Sequence, residues 1–149
     1  MALDFSVFRT LPLHTHQVVS AFLAYSTIFW LVSPAASIKL FAPYRDFSRQ
    51  TRIRSDVRVV SLIQATFISA CAFYVIRYDQ SRVQTDARDR LMAYSPMAGR
   101  VQAFAAGYFI WDLVISVLYY DALGVGSLLH AVCALGVTML GFVSLIQNL

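Results

Sequence analysis

The chain has 149 residues, of which 58% are hydrophobic and 13% charged. Soluble domains carry about 25% charged residues, so this composition excludes an ordinary water-soluble fold, and its hydrophobicity excludes disorder. Two cysteines cannot staple a disulfide scaffold, and a net charge of +4 carried mostly by arginines between apolar runs argues against nucleic acid as a partner.

A bilayer core about 30 Å thick requires about 20 apolar residues per spanning helix. Four segments meet that requirement: residues 17–37, 57–76, 101–120 and 123–146. The length allows one domain, so residues 1–149 are expected to form a single all-α, polytopic bundle of four transmembrane helices. Ahead of the first span, Pro12, His14, His16 and the single basic residue Arg9 do not compose a cleavable signal peptide. His14 and His16 are a weak metal signal without further ligands, and their expected place is among the headgroups. Inside the span, Pro34 follows Ser33 and removes one backbone hydrogen bond, which predicts a kink or an end to that helix.

The first connection is basic, with Lys39, Arg45, Arg49, Arg52 and Arg54. Arg58, at the edge of the second span, can reach back to the headgroups. Within that span Ser61, Ala65 and Ser69 are spaced by four, a small-residue stripe that predicts a helix–helix contact. The second connection, residues 77–100, mixes Arg77, Arg82, Arg88, Arg90 and Arg100 with Asp79, Asp86 and Asp89. Six basic residues then fall on each side of the membrane, so the charge rule for orientation ties. The excess directly after the first span favours a cytosolic first connection.

The third span carries an acid inside its apolar run, Asp112, on one helix face with Tyr108, Ser116 and Tyr119. A tight turn at Asp121 to Gly124 leads to the fourth span, where Gly126, His130 and Ala134 repeat the spacing of four. At 1.5 Å per residue, Asp112 and His130 both lie about 12–15 Å from that turn. Antiparallel neighbours would bring them to one depth, where the carboxylate can accept a hydrogen bond from the imidazole and set its tautomer. Ionisable groups inside a span are costly, so they are expected to face the interior and to have a partner. Three roles are open to the pair. It can be a self-satisfied contact that sets helix register, the wall of a pocket for a lipid headgroup or polar tail, or a general base, His130, oriented by Asp112. Cys71 and Cys133 have no ligand cluster around them and read as buried, small apolar side chains, so no metal and no cofactor is expected.

Three stretches, in this order, have a counterpart in a known family. The first is Leu13-His14-Thr15-His16 before a span ending Ser33-Pro34. The second is Arg54-Ser55-Asp56-Val57-Arg58-Val59-Val60-Ser61-Leu62-Ile63-Gln64. The third is Gly107-Tyr108-Phe109-Ile110-Trp111-Asp112-Leu113, followed by Leu129-His130-Ala131. Together they resemble the TLC domain family, nearest to its small fungal members, over nearly the whole chain. The resemblance implies a multi-pass protein, typically of the endoplasmic reticulum or related membranes, that acts in lipid handling. One branch, the ceramide synthases, transfers an acyl chain from acyl-CoA to a sphingoid base with two adjacent histidines and a later pair of aspartates. Here Ala131 follows His130 and no Asp-Asp pair comes after it, so that activity does not carry over. What carries over is Asp112 and His130 as interior polar residues, with Arg58, Ser61 and Gln64 as pocket positions. Family members usually have more spans in a longer chain, so the resemblance also predicts a truncated product.

The expectation is therefore a non-catalytic membrane protein that binds or senses lipid, or contributes to membrane lipid homeostasis. Its lipid site would be lined by Tyr108, Asp112, Ser116, His130, Arg58, Ser61 and Gln64. Membrane lipids are the expected partners, with a second copy of the chain packing through the small-residue faces. Two rival readings stand beside this one: a ceramide-synthase-like N-acyltransferase using His130 with Asp112, and an inactive remnant.

Overall fold

A computed structural model describes residues 11–78 and 96–144. Helix α1 (Leu11–Thr27) continues through a π-helical turn (Ile28–Val32) into α2 (Ser33–Leu40). A 3-10 turn (Ala42–Asp46) leads to α3 (Arg49–Tyr78), and α4 (Pro96–Leu118) and α5 (Tyr120–Ser144) complete the bundle. Among the described residues there is no strand. Four stretches, His14–Leu40, Arg49–Tyr78, Pro96–Leu118 and Tyr120–Leu140, are long and apolar enough to cross a membrane. Among the described residues, the all-α, four-span architecture expected from the sequence is the one observed.

The element boundaries have local causes. Pro34 does not end the first span. The Ser33 N–H donates to Ile28 O, five residues back, and Pro34 falls in the first turn of α2, where a missing N–H costs little. The widened π turn absorbs the lost bond, and the helix runs on to Leu40. The basic lead before the second span is itself helical from Arg49, because Ser48 Oγ accepts the Thr51 N–H at 3.3 Å and caps α3. Between α4 and α5 the Tyr119 carbonyl accepts from the N–H groups of Ala122 and Leu123, both at 2.9 Å. Gly124 completes this reversal with φ 76° and ψ 176°, backbone space that only glycine enters without strain.

Helix α4 is the centre of the bundle and packs against α1, α3 and α5. Its buried residues include Gly99, Ala103, Ala106, Gly107 and Ser116, small side chains that let backbones come close. The tightest approach is at Gly107, where a Cβ would lie 2.5 Å from Val18 O and 2.7 Å from Ala21 Cβ. Helices α4 and α5 form an antiparallel hairpin bridged at two depths. Near the turn the Ser116 and Ser127 hydroxyls are 3.1 Å apart, and further along Gln102 Nε2 donates to Thr138 O at 2.8 Å. Arg54 Nε donates to Ala122 O at 2.6 Å, so the α4–α5 turn lies on the same side of the bundle as the start of α3.

Two of the three expected interior stripes face outward. On α3, Ala65 and Ser69 are exposed, and the buried positions are Val57, Val60 and Gln64 instead. On α5, Gly126 and His130 are exposed, whereas Ala131 is fully buried. Only the α4 stripe points inward, with Tyr108, Asp112 and Ser116 all buried. A membrane helix is apolar on its lipid side as well as its protein side, so a spacing of four identifies a stripe without saying which way it faces. For the same reason the thiols differ from expectation: Cys71 is half-buried and Cys133 is exposed.

Candidate functional site

A polar group buried in an apolar bundle is costly unless it is hydrogen-bonded. Here the helices satisfy several such groups in one another. Tyr25 on α1 donates its hydroxyl to Gln64 Oε1 on α3. Tyr108 on α4 donates to Ser61 Oγ at 2.9 Å, and Ser61 donates in turn to Val57 O at 2.9 Å. The Tyr25 and Tyr108 rings meet edge to face at 5.3 Å, and Tyr108 stacks on Trp111 at 5.7 Å. One turn along α4 stands Asp112, and a turn further Ser116 with its partner Ser127. Ser127 also borders a cavity of about 340 Å³ lined by Arg54, Val57, Arg58 and Leu123. A file of polar positions thus runs from two arginines near the α4–α5 turn to Gln64 in the core. Five of the seven residues expected to form the site, Tyr108, Asp112, Ser116, Ser61 and Gln64, lie along it, and Arg58 stands at its mouth.

The seventh, His130, is placed differently. Asp112 is 4% exposed and accepts no hydrogen bond from the described residues. The His130 ring is within electrostatic reach of it, yet exposed on α5 beside Phe109, Cys133 and Ala134. The hydrogen-bonded pair expected from the spacing is not formed. Equal depth on antiparallel helices leaves the rotation of each helix open, and α5 turns Ala131 into the interface instead of His130. With no such bond, the arrangement by which a carboxylate orients an imidazole base is not assembled. The preceding residue, Trp111, is completely buried, and its Nε1–H has no acceptor among the described residues. His14 is buried and His16 exposed, both within α1 rather than ahead of the helix. Among the described residues no group of three or more His, Cys, Asp or Glu could hold a metal ion.

Asp56 has a role that the sequence reading did not assign. It is buried on α3, where Ser33 Oγ donates to one carboxylate oxygen at 2.6 Å and Tyr44 Oη to the other at 2.7 Å. One acid thereby pins three elements: the start of α2, the 3-10 turn and α3. The available signal was a single acid inside the run from Arg49 to Arg58, twelve residues after Tyr44, a separation that no helical spacing links. The Arg52 guanidinium lies over the Tyr44 ring, 5.6 Å from its centroid, and Arg52 Nη2 donates to Arg45 O at 2.5 Å.

Burial, and then the hydrogen bond to Asp56, push the Tyr44 phenol from 10.0 up to about 12. A raised phenol pKa means that the fold favours the neutral form. This contribution is complete below the unfolded value near 10.0 and is lost as pH rises through about 12. The thermal unfolding midpoint in detergent is expected to drop across that window, and to drop less in Tyr44→Phe. Equal drops in the two proteins would show that Tyr44 carries none of the alkaline sensitivity.

The TLC domain profile matches residues 54–148. The chain belongs to the TLC domain family. It is accordingly an integral membrane protein of a family linked to lipid biology. A TLC domain-containing protein of Schizosaccharomyces pombe is 36% identical over 125 residues, which cover 84% of this chain and 41% of that protein. Topoisomerase I damage affected protein 4 of Saccharomyces cerevisiae is 28% identical over 138 residues, covering 85% of this chain and 44% of its own length. TLC domain-containing protein 4 of Homo sapiens is 29% identical over 104 residues, covering 70% and 38% respectively. This TLC-domain chain therefore spans about two-fifths of the length of these relatives. No solved structure matches it. The profile takes in the polar residues of α3, α4 and α5, while Tyr25, Ser33 and Tyr44 precede it.

Proposed function

We propose that this TLC-domain chain binds or senses a membrane lipid through its polar file, without catalysing a reaction on it, and so contributes to membrane lipid homeostasis. Asp112 is the observation that carries this reading. It is a carboxyl group within a span, 4% exposed, that receives no hydrogen bond from the described residues. Such groups are costly inside a membrane and mark places where a polar ligand is welcome. A hydroxyl- or amine-bearing lipid would supply the missing donor. Tyr108, Ser61, Gln64 and Ser116 would line its path, Arg58 would meet a phosphate at the mouth, and His130 would flank it from the outer face. The endoplasmic reticulum is the membrane this reading assigns. Ala65, Ser69 and Gly126, which the bundle leaves exposed, would be the small-residue surfaces through which a second copy packs.

Native mass spectrometry of the purified chain is expected to show a retained lipid. In Asp112→Asn its occupancy should fall about tenfold, the weight of one hydrogen bond to a charged group, while elution and helicity stay unchanged. Incubation with acyl-CoA and a long-chain amine is expected to yield no product that depends on His130. A lipid-free unaltered protein would overturn the reading. So would an amide product abolished by His130→Ala, which would establish the N-acyltransferase instead.

A further inference from the structure

The π turn does more than accommodate Pro34. It carries Phe29 and Trp30, the first 4% and the second 54% exposed, to the rim of a cavity of about 510 Å³. Tyr44, Phe47 and Tyr119 supply further aromatic wall. Arg49, Arg52 and Asp56 also line it, all from one face of the first turns of α3. Arg54 and Arg58 sit on a different face of that helix, so this cavity is distinct from the mouth of the polar file.

The charges in the cavity are unequal in their commitments. Arg52 is held by Arg45 O and the Tyr44 ring. Arg49 is exposed and makes no hydrogen bond or ion pair among the described residues. Asp56 forms no ion pair among them either, although each of its oxygens already accepts from a hydroxyl. It therefore presents negative charge with much of its hydrogen-bonding capacity taken up. Along α3, Asp56 stands about 6 Å from Arg52 and about 10 Å from Arg49, counting rise per residue. The site thus offers a free cation at one end and, at the other, an anion set in an aromatic wall. The positive end of the α3 dipole adds to the cationic side.

We propose that this cavity holds the headgroup of a zwitterionic phospholipid, with its quaternary ammonium against the aromatic wall and Asp56 and its phosphate on Arg49. A quaternary ammonium has no N–H to donate, so it suits a carboxylate whose oxygens are already engaged. Aromatic faces attract such a cation through their quadrupoles. Arg49 and Arg52, at the start of the second span, set one end of the cavity at the bilayer interface, where a headgroup resides, and exposed Trp30, within the first span, opens it toward lipid.

The test offers the delipidated full chain in detergent equal amounts of phosphatidylcholine, phosphatidylethanolamine and phosphatidylglycerol, with bound lipid read by native mass spectrometry. Phosphatidylcholine is expected to dominate. Trp30→Leu and Arg49→Gln should each lower its occupancy about tenfold. Both replace exposed side chains that hold no hydrogen bond among the described residues, so folding should be retained. The proposal fails if phosphatidylglycerol binds equally well, if neither substitution changes occupancy, or if free phosphocholine binds as tightly as the lipid. Lipid lost in Asp112→Asn but kept in Trp30→Leu would remove this site and leave the reading of the polar file standing. The reverse pattern would do the opposite.

Discussion

Asp56→Ala is expected to destabilise the chain by about 3–5 kcal/mol, from two hydrogen bonds to a charged group at about 1.5–3 kcal/mol each, discounted for the desolvation of the carboxylate. The substitution strands two buried hydroxyls, since Ser33 is 1% exposed and Tyr44 2%. It also releases the 3-10 turn from α3, because the Tyr44 hydroxyl is bonded to that acid. Asp56→Asn should fall in between, as its amide keeps one acceptor and turns a second group of donors toward a hydroxyl. Unfolding of the purified chain in detergent would measure these differences. A double-mutant cycle with Tyr44→Phe should return a coupling of about 1–2 kcal/mol. An Asp56→Ala protein within about 1 kcal/mol of the unaltered chain would mean that desolvation of the carboxylate cancels both bonds.

Gly107→Val is expected to be at least as damaging, for a steric reason. The first added carbon would stand 2.5 Å from a backbone oxygen of α1, which no rotamer change can move aside. Overpacking of this kind typically costs about 1–3 kcal/mol, and valine adds two methyl groups beyond that carbon. Helix α1 would have to lift from α4, parting the Tyr25 and Tyr108 rings and the Tyr25–Gln64 bond with them. Loss of monodisperse protein on size exclusion would report this. Gly136→Ala is the matched control, because nothing lies within 4 Å of a Cβ placed there. It should be neutral or stabilising by up to about 1 kcal/mol. Similar behaviour of the two variants would contradict the close α1–α4 contact.

These two positions differ in how visible they were. Gly107 lies inside a stretch by which the TLC resemblance was made, yet nothing in that stretch reveals that Val18 and Ala21 press against it. Asp56 also lies in a quoted stretch, but its partners Ser33 and Tyr44 come 23 and 12 residues earlier and on other elements. Hydrogen bonds across such separations have no helical period to announce them. The Asp112 and His130 expectation shows the same limit from the other side. Residue counting from the turn addresses depth in the membrane, because rise per residue is constant. It does not address rotation about the helix axis, and rotation leaves His130 exposed.

By itself, the sequence determined that this chain is a helical membrane bundle of the TLC family, with four spanning stretches among the described residues and an acid within the third. It could do so because the bilayer demands long apolar runs and makes any charge within them conspicuous. The tertiary structure alone decided which face of each helix turns inward, and hence that Asp56 ties three elements together and that His130 looks outward. Lipid and protein interior are similarly apolar, so hydropathy carries no direction around a spanning helix. Direction comes from where a glycine lets two backbones meet and where buried donors find their acceptors.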